Sequence, residues 1–135
     1  MVILNEQKKK LIKEIAEKHN LDLIVLFGSQ AKNRASKESD IDIGIYSKSG
    51  LDFDKKIKIL KDFSDIFESN NIDLGIISSN SPLLMYSILK DGEVLYEKEN
   101  SLVYKLRFYA WKLLAESKSF RDHSFSLLKN KIALL

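Results

Sequence analysis

A chain of 135 residues has room for one domain with a core that needs no covalent staples, and its net charge of +3 is too small to imply a nucleic-acid partner by itself. It has no cysteine, which excludes disulfides and thiolate metal sites and suits a reducing compartment. No run reaches the roughly 18 apolar residues of a membrane span, and Lys8, Lys9 and Lys10 precede an amphipathic stretch instead of a signal-peptide core, so the expected location is the cytoplasm.

Asn5 can cap a helix over 6–19 with Leu11, Ile12, Ile15 and Ala16 as its apolar stripe. The short branched run 21–27, bounded by Asn20 and Gly28, predicts a strand. A short helix is expected from Ser29 to Asn33, then a strand at 40–46. Phe53, Ile57, Leu60, Phe63 and Phe67 stand at helical spacing within 51–68, and 72–77 predicts a third strand. Pro82 marks the start of a helix over 83–90, Asp91 and Gly92 a turn, and 94–96 a short fourth strand. A long helix over 101–118 and a less regular helical tail complete the chain. The expected fold is α/β: a small mixed sheet with helices on its one apolar face and a C-terminal helical segment. Residues 1–98 would form the core, with 99–135 as an extension packed on it in a single domain.

The segment 28–42 carries the chemistry. Gly28 closes one apolar run and Ser29 opens the next turn, so the backbone can approach a phosphate where a Cβ is missing and where helix-start N–H groups attract anions. Ten residues on, Asp40 and Asp42 lie two apart on a predicted strand and leave the same face of the sheet. Such a pair can hold divalent ions jointly, and magnesium suits it because magnesium prefers oxygen ligands and is held by one or two carboxylates plus substrate phosphates. Aligning Asp42-Ile43-Gly44 with Asp73-Leu74-Gly75 makes Asp73 the candidate third carboxylate, as general base for an attacking hydroxyl or as a further metal ligand. The face bearing these carboxylates and both glycines is expected to stay open to substrate. Taken singly, a Gly-Ser is a commonplace turn and an Asp-x-Asp is most often a solvated strand face. The joint spacing carries the catalytic reading, which is metal-dependent nucleotidyl transfer. Asp22, Asp52, Asp54, Asp62 and Asp65 are assigned to helix starts or polar helical faces, and His19 and His123 to surface or capping positions.

With its Gly28-Ser29, ten residues and Asp40-Ile41-Asp42, set in 26–31 and 39–43, the chain resembles the minimal nucleotidyltransferases of the polymerase-β-like superfamily. Within them it is most similar to the antitoxin half of prokaryotic HEPN/MNT modules. The resemblance runs from about Leu11 to Glu97. Asn33 stands where many members have glycine, a departure that asparagine tolerates because it adopts the same turn conformation. The resemblance implies ATP as co-substrate with Mg2+ as cofactor. It also implies AMP transfer to a tyrosine of a partner HEPN-domain ribonuclease toxin, which silences it. Gly28, Ser29 and Arg34 would then bind nucleotide, with Lys32 and Lys37 as further candidates to touch the triphosphate, while Asp40, Asp42 and Asp73 are catalytic and hold metal. The alternatives are transfer to a small hydroxyl compound such as an aminoglycoside, and a non-catalytic antitoxin acting by occlusion.

Residues 101–135 carry seven Lys or Arg against two acids, whereas 1–100 carry fifteen against seventeen. Leu102, Tyr104, Leu106, Phe108, Tyr109, Trp111, Leu113 and Leu114 exceed one narrow stripe. This basic, aromatic region is expected to serve a protein acceptor, since the chain has no recognisable nucleic-acid motif.

Overall fold

The computed structural model describes residues 4–28 and 40–133, with the side chains of 118–121 and 123–125 outside the description. The expected helix at Ser29 to Asn33 therefore lies outside the described residues, as do Lys32, Arg34 and Lys37. In chain order the elements are α1 (Glu6–Lys18), β1 (Leu23–Phe27), β2 (Ile41–Tyr46), α2 (Phe53–Phe67), β3 (Ile72–Ile76), α3 (Pro82–Lys90), β4 (Glu93–Glu97), α4 (Leu102–Glu116) and α5 (Lys118–Ala133). The C-terminal tail, expected to be a less regular helical segment, is helical over Lys118–Ala133.

Local chemistry sets the boundaries. The Asn5 side chain accepts from Lys8 N at 2.8 Å and starts α1, and Asp52 does the same for α2 through Lys55 N at 2.7 Å. Asn20 and Glu68, both left-handed, turn the chain out of α1 and α2. Pro82 occupies the first turn of α3, where its missing N–H costs nothing.

The four strands lie in the order β3-β2-β1-β4, with β1 antiparallel to both neighbours and β2 parallel to β3. Phe27, Asp42 and Asp73 therefore lie side by side at one end of the sheet, and Tyr46 and Leu23 at the other. Alternation sorts the strands onto two faces. Ile24, Leu26, Ile41, Ile43 and Ile45 pack with Ile12, Ile15 and Ala16 of α1 and Ile59, Phe63 and Phe67 of α2. Leu23, Val25 and Ile77 pack on the opposite face with Met85, Ile88 and Leu89 of α3 and Leu102, Val103, Leu106 and Ala110 of α4.

The expectation of helices on a single face is thus corrected: the sheet is a middle layer. A Cβ on Gly44 would lie 2.5 Å from Ile88 Cγ2, and one on Gly75 would lie 3.0 Å from Ile88 Cδ1. Those two glycines admit the α3 side chain Ile88; they do not leave the face open. The stripe expected on α2 is also shifted. Ile59, Phe63 and Phe67 are buried, whereas Phe53, Ile57 and Leu60 are exposed, because the helix is rotated to seat Ile59 against the strand isoleucines.

His19 and Asp62 join α1 to α2. His19 caps α1, as expected, but is buried rather than on the surface, with its Nε2 2.7 Å from Asp62 Oδ2. Lys18 Nζ donates to the same oxygen at 3.2 Å. Partial burial pushes the Asp62 carboxyl up, but the His19 and Lys18 hydrogen bonds and charges outweigh it and hold Asp62 below its ordinary value. A depressed carboxyl stabilises the fold above its unfolded pKa and loses that contribution as pH falls through the native value. Asp62→Asn should therefore lower the melting temperature at pH 6 and lose less additional stability than the parent on acidification below about pH 4, as read by thermal melts across a pH series.

Asp22, assigned from sequence to a polar surface position, is also buried. Its carboxylate accepts from Lys48 N at 2.8 Å, and its backbone bonds Tyr46 O and Lys98 N, so it ties three segments together at the sheet end away from Asp42.

Candidate active site

The site is built where β1 stops. The last β1 residue, Phe27, is paired with Asp42 in the antiparallel ladder. Gly28 follows with φ of 71°, a left-handed conformation that glycine adopts without strain. A Cβ at Gly28 would land on the Asp42 carboxylate. The glycine therefore makes room for the Asp42 carboxylate, a role that sequence reasoning, which assigned the gap to phosphate, did not find.

Asp42 and Asp73 are register partners on the parallel strands β2 and β3, so both side chains leave the same face at the same height. Asp40 lies one residue before β2, exposed, and adds its charge. The Asp42 carboxyl is held above the ordinary carboxylate range, first by partial burial, then by the negative charges of Asp73 and Asp40 and by a hydrogen bond with Asp73. Asp42 is thus within electrostatic reach of both other predicted carboxylates. The nucleotide-binding candidates Ser29 and Arg34 lie outside the described residues, so of that group only Gly28 is placed.

The floor of the site is apolar. The Phe27 ring reaches across to Gly75, where a Cβ would lie 3.3 Å from its Cζ. Phe27 and Ile88 together fill the sheet face over Gly44 and Gly75, next to Asp42 and Asp73 along their strands. No local pattern in the sequence pointed to this, since Ile88 is far along the chain from Phe27.

The donor set fits magnesium. It is all oxygen, crowded with like charge and open on its outer side, where Asp73 is exposed. Among the described residues no three acidic or histidine side chains close into a cage able to hold an ion unaided. That suits an ion whose remaining ligands are substrate phosphates and water.

The profile of the family described as polymerase beta, nucleotidyltransferase matches residues 9–101, which contain the whole site. A protein of Methanocaldococcus jannaschii, by assignment a protein adenylyltransferase, is 34% identical over 91 residues, covering 65% of this chain and 90% of that one. Among solved structures, a toxin-antitoxin crystal structure with AMP-PNP superimposes with a TM-score of 0.67 at 20% identity, covering 92% of this chain and 98% of that one. A complex of a tri-AMPylated Shewanella oneidensis HEPN toxin with an MNT antitoxin gives a TM-score of 0.63 at 18% identity, covering 96% of this chain and 99% of that one.

Proposed function

Because the chain belongs to the polymerase beta nucleotidyltransferase family, we propose that it transfers AMP from ATP to a tyrosine of a HEPN-domain ribonuclease toxin and so acts as its antitoxin. The observation that carries this reading is the register pairing of Asp42 with Asp73 beside Gly28, in a chain whose relative is assigned as a protein adenylyltransferase.

Asp40 and Asp42 would hold Mg2+, with Asp73 beside them. When bound, the ion neutralises charge on the phosphates and on the departing pyrophosphate. Asp73, the exposed carboxylate on the neighbouring strand, takes the proton of the tyrosine hydroxyl. The tyrosine oxygen forms a bond to the α-phosphorus as the bond from that phosphorus to the oxygen bridging to the β-phosphate breaks, and pyrophosphate leaves. The left-handed turn at Gly28 brings backbone N–H groups to the phosphates, and Ser29 and Arg34 complete the nucleotide contacts.

No helix among the described residues is long and apolar enough to cross a membrane, and the use of ATP as co-substrate supports a cytoplasmic location in this reading. Co-expression with a HEPN-domain protein from the same genome, followed by intact-mass measurement of that protein, tests the reading. Mass increments of AMP on a tyrosine, absent with the Asp42→Asn variant, are expected. Full inhibition of the ribonuclease with no added mass would establish occlusion instead.

A further inference from the structure

This inference rests on the protein-adenylylation reading and names the surface that presents the acceptor. We propose that the outer stripe of α4 formed by Tyr104, Phe108 and Trp111 docks the acceptor protein beside the carboxylates, through an apolar face of the acceptor rimmed by acidic side chains.

The stripe is built at helical spacing and left uncovered. Tyr104, Phe108 and Trp111 are 64%, 66% and 55% exposed, while Leu102, Val103, Leu106, Ala110 and Leu114 of the same helix are buried. The core is therefore served by one side of α4, and the aromatics on the other side are surplus to it. Phe108 and Trp111 lie against each other with ring centroids 6.3 Å apart, and the Arg107 guanidinium lies 5.5 Å from the Tyr104 ring centre. Large aromatics held this way lose little freedom on binding and are favoured at protein interfaces.

Topology says what covers them. The backbone N–H groups of Ser101 and Val103 bond the Glu97 carboxylate at the sheet end away from the site. Arg107 Nε then donates to Leu89 O at 2.6 Å and its NH2 group to Gly92 O at 3.1 Å, at the turn that opens β4 beside the last pairs of β1. So α4 runs toward the Asp42 end, on the same face of the sheet as Asp42 and Asp73. The nine residues after Arg107 add about 13 Å of helix in that direction. The stripe is thus carried on the helix that extends toward the carboxylate end, on the same face of the sheet, where an acceptor bringing a tyrosine to Asp73 would sit.

Two further observations fit a protein acceptor. The family match ends at residue 101, so α4 lies outside the matched segment that contains the site. Residues 101–135 carry seven basic and two acidic side chains, which complements an acidic rim.

The test uses the full chain and a HEPN-domain protein from the same genome that it is found to modify or inhibit. Binding is measured by calorimetry in EDTA, and AMP transfer is measured separately as a function of acceptor concentration. Phe108→Ala with Trp111→Ala should weaken acceptor binding about tenfold or more. It should raise the KM for acceptor similarly while leaving kcat and ATP affinity unchanged. Phe53→Ala, an equally exposed aromatic of α2 on the other sheet face, should change none of these. Acceptor binding by the double variant equal to that of the parent overturns the proposal, as does sedimentation showing that the stripe instead joins two copies of this chain. A parent that binds through the stripe but transfers no AMP overturns the adenylylation reading while the docking surface stands.

Discussion

Asp42→Asn is expected to lower AMP transfer by about a thousandfold or more, the rate equivalent of losing several kcal/mol of charge stabilisation at the reacting phosphate. The same change should not destabilise the protein. Asp42 is pressed between partial burial and the like charges of Asp73 and Asp40, so the neutral isostere relieves repulsion that the carboxylate suffers when no cation offsets it. In EDTA at neutral pH the melting temperature of the variant should equal or exceed that of the parent. Added Mg2+ with ATP should raise the melting temperature of the parent more than that of the variant, because ligand binding stabilises only the state that binds. A variant that retains transfer removes Asp42 from the chemistry. A variant that melts well below the parent shows instead that the carboxylate is held for structural reasons.

Gly28→Val is expected to abolish both transfer and tight ATP binding, and to destabilise the fold. A β-branched residue at φ of 71° is strained by about 1–3 kcal/mol, and its Cβ would occupy the space of the Asp42 carboxylate. The two causes are separable. Gly28→Ala carries the same Cβ with a smaller backbone penalty, and in an Asp42→Ala background the collision is gone while the backbone penalty remains. The stability cost of Gly28→Ala, read from denaturant unfolding, should therefore fall by about 1 kcal/mol or more in that background, a coupling expected only of residues in contact. Equal costs in the two backgrounds would show that Gly28 is needed for its dihedral angle alone.

Much of this protein is determined locally. Asn5, Asn20, Asp52 and Pro82 mark helix ends by hydrogen bonds and dihedral limits that act over a few residues, which is why the element order was legible before any fold was known. The spacing of Gly28, Asp40 and Asp42, and the repeat of Asp-x-Gly at Asp73, likewise pointed to the site, because strand alternation alone dictates which side chains share a face. What the sequence could not decide was which elements cover that face. Gly44 and Gly75 read as an opening for substrate, yet they are the notch for Ile88, a contact between residues more than ten positions apart that no local pattern encodes. The rotation of α2, which buries Ile59 and exposes Phe53 and Ile57, was settled by packing against the strand isoleucines, since several faces of that helix are apolar enough to serve. His19 was legible as a surface or helix-capping residue, but its burial against Asp62 was set by two packed helices. Periodicity fixes what each segment can become on its own. Only the close-packed interior, where each side chain must find room among partners distant in the chain, decides which apolar face is buried and which is left for another molecule.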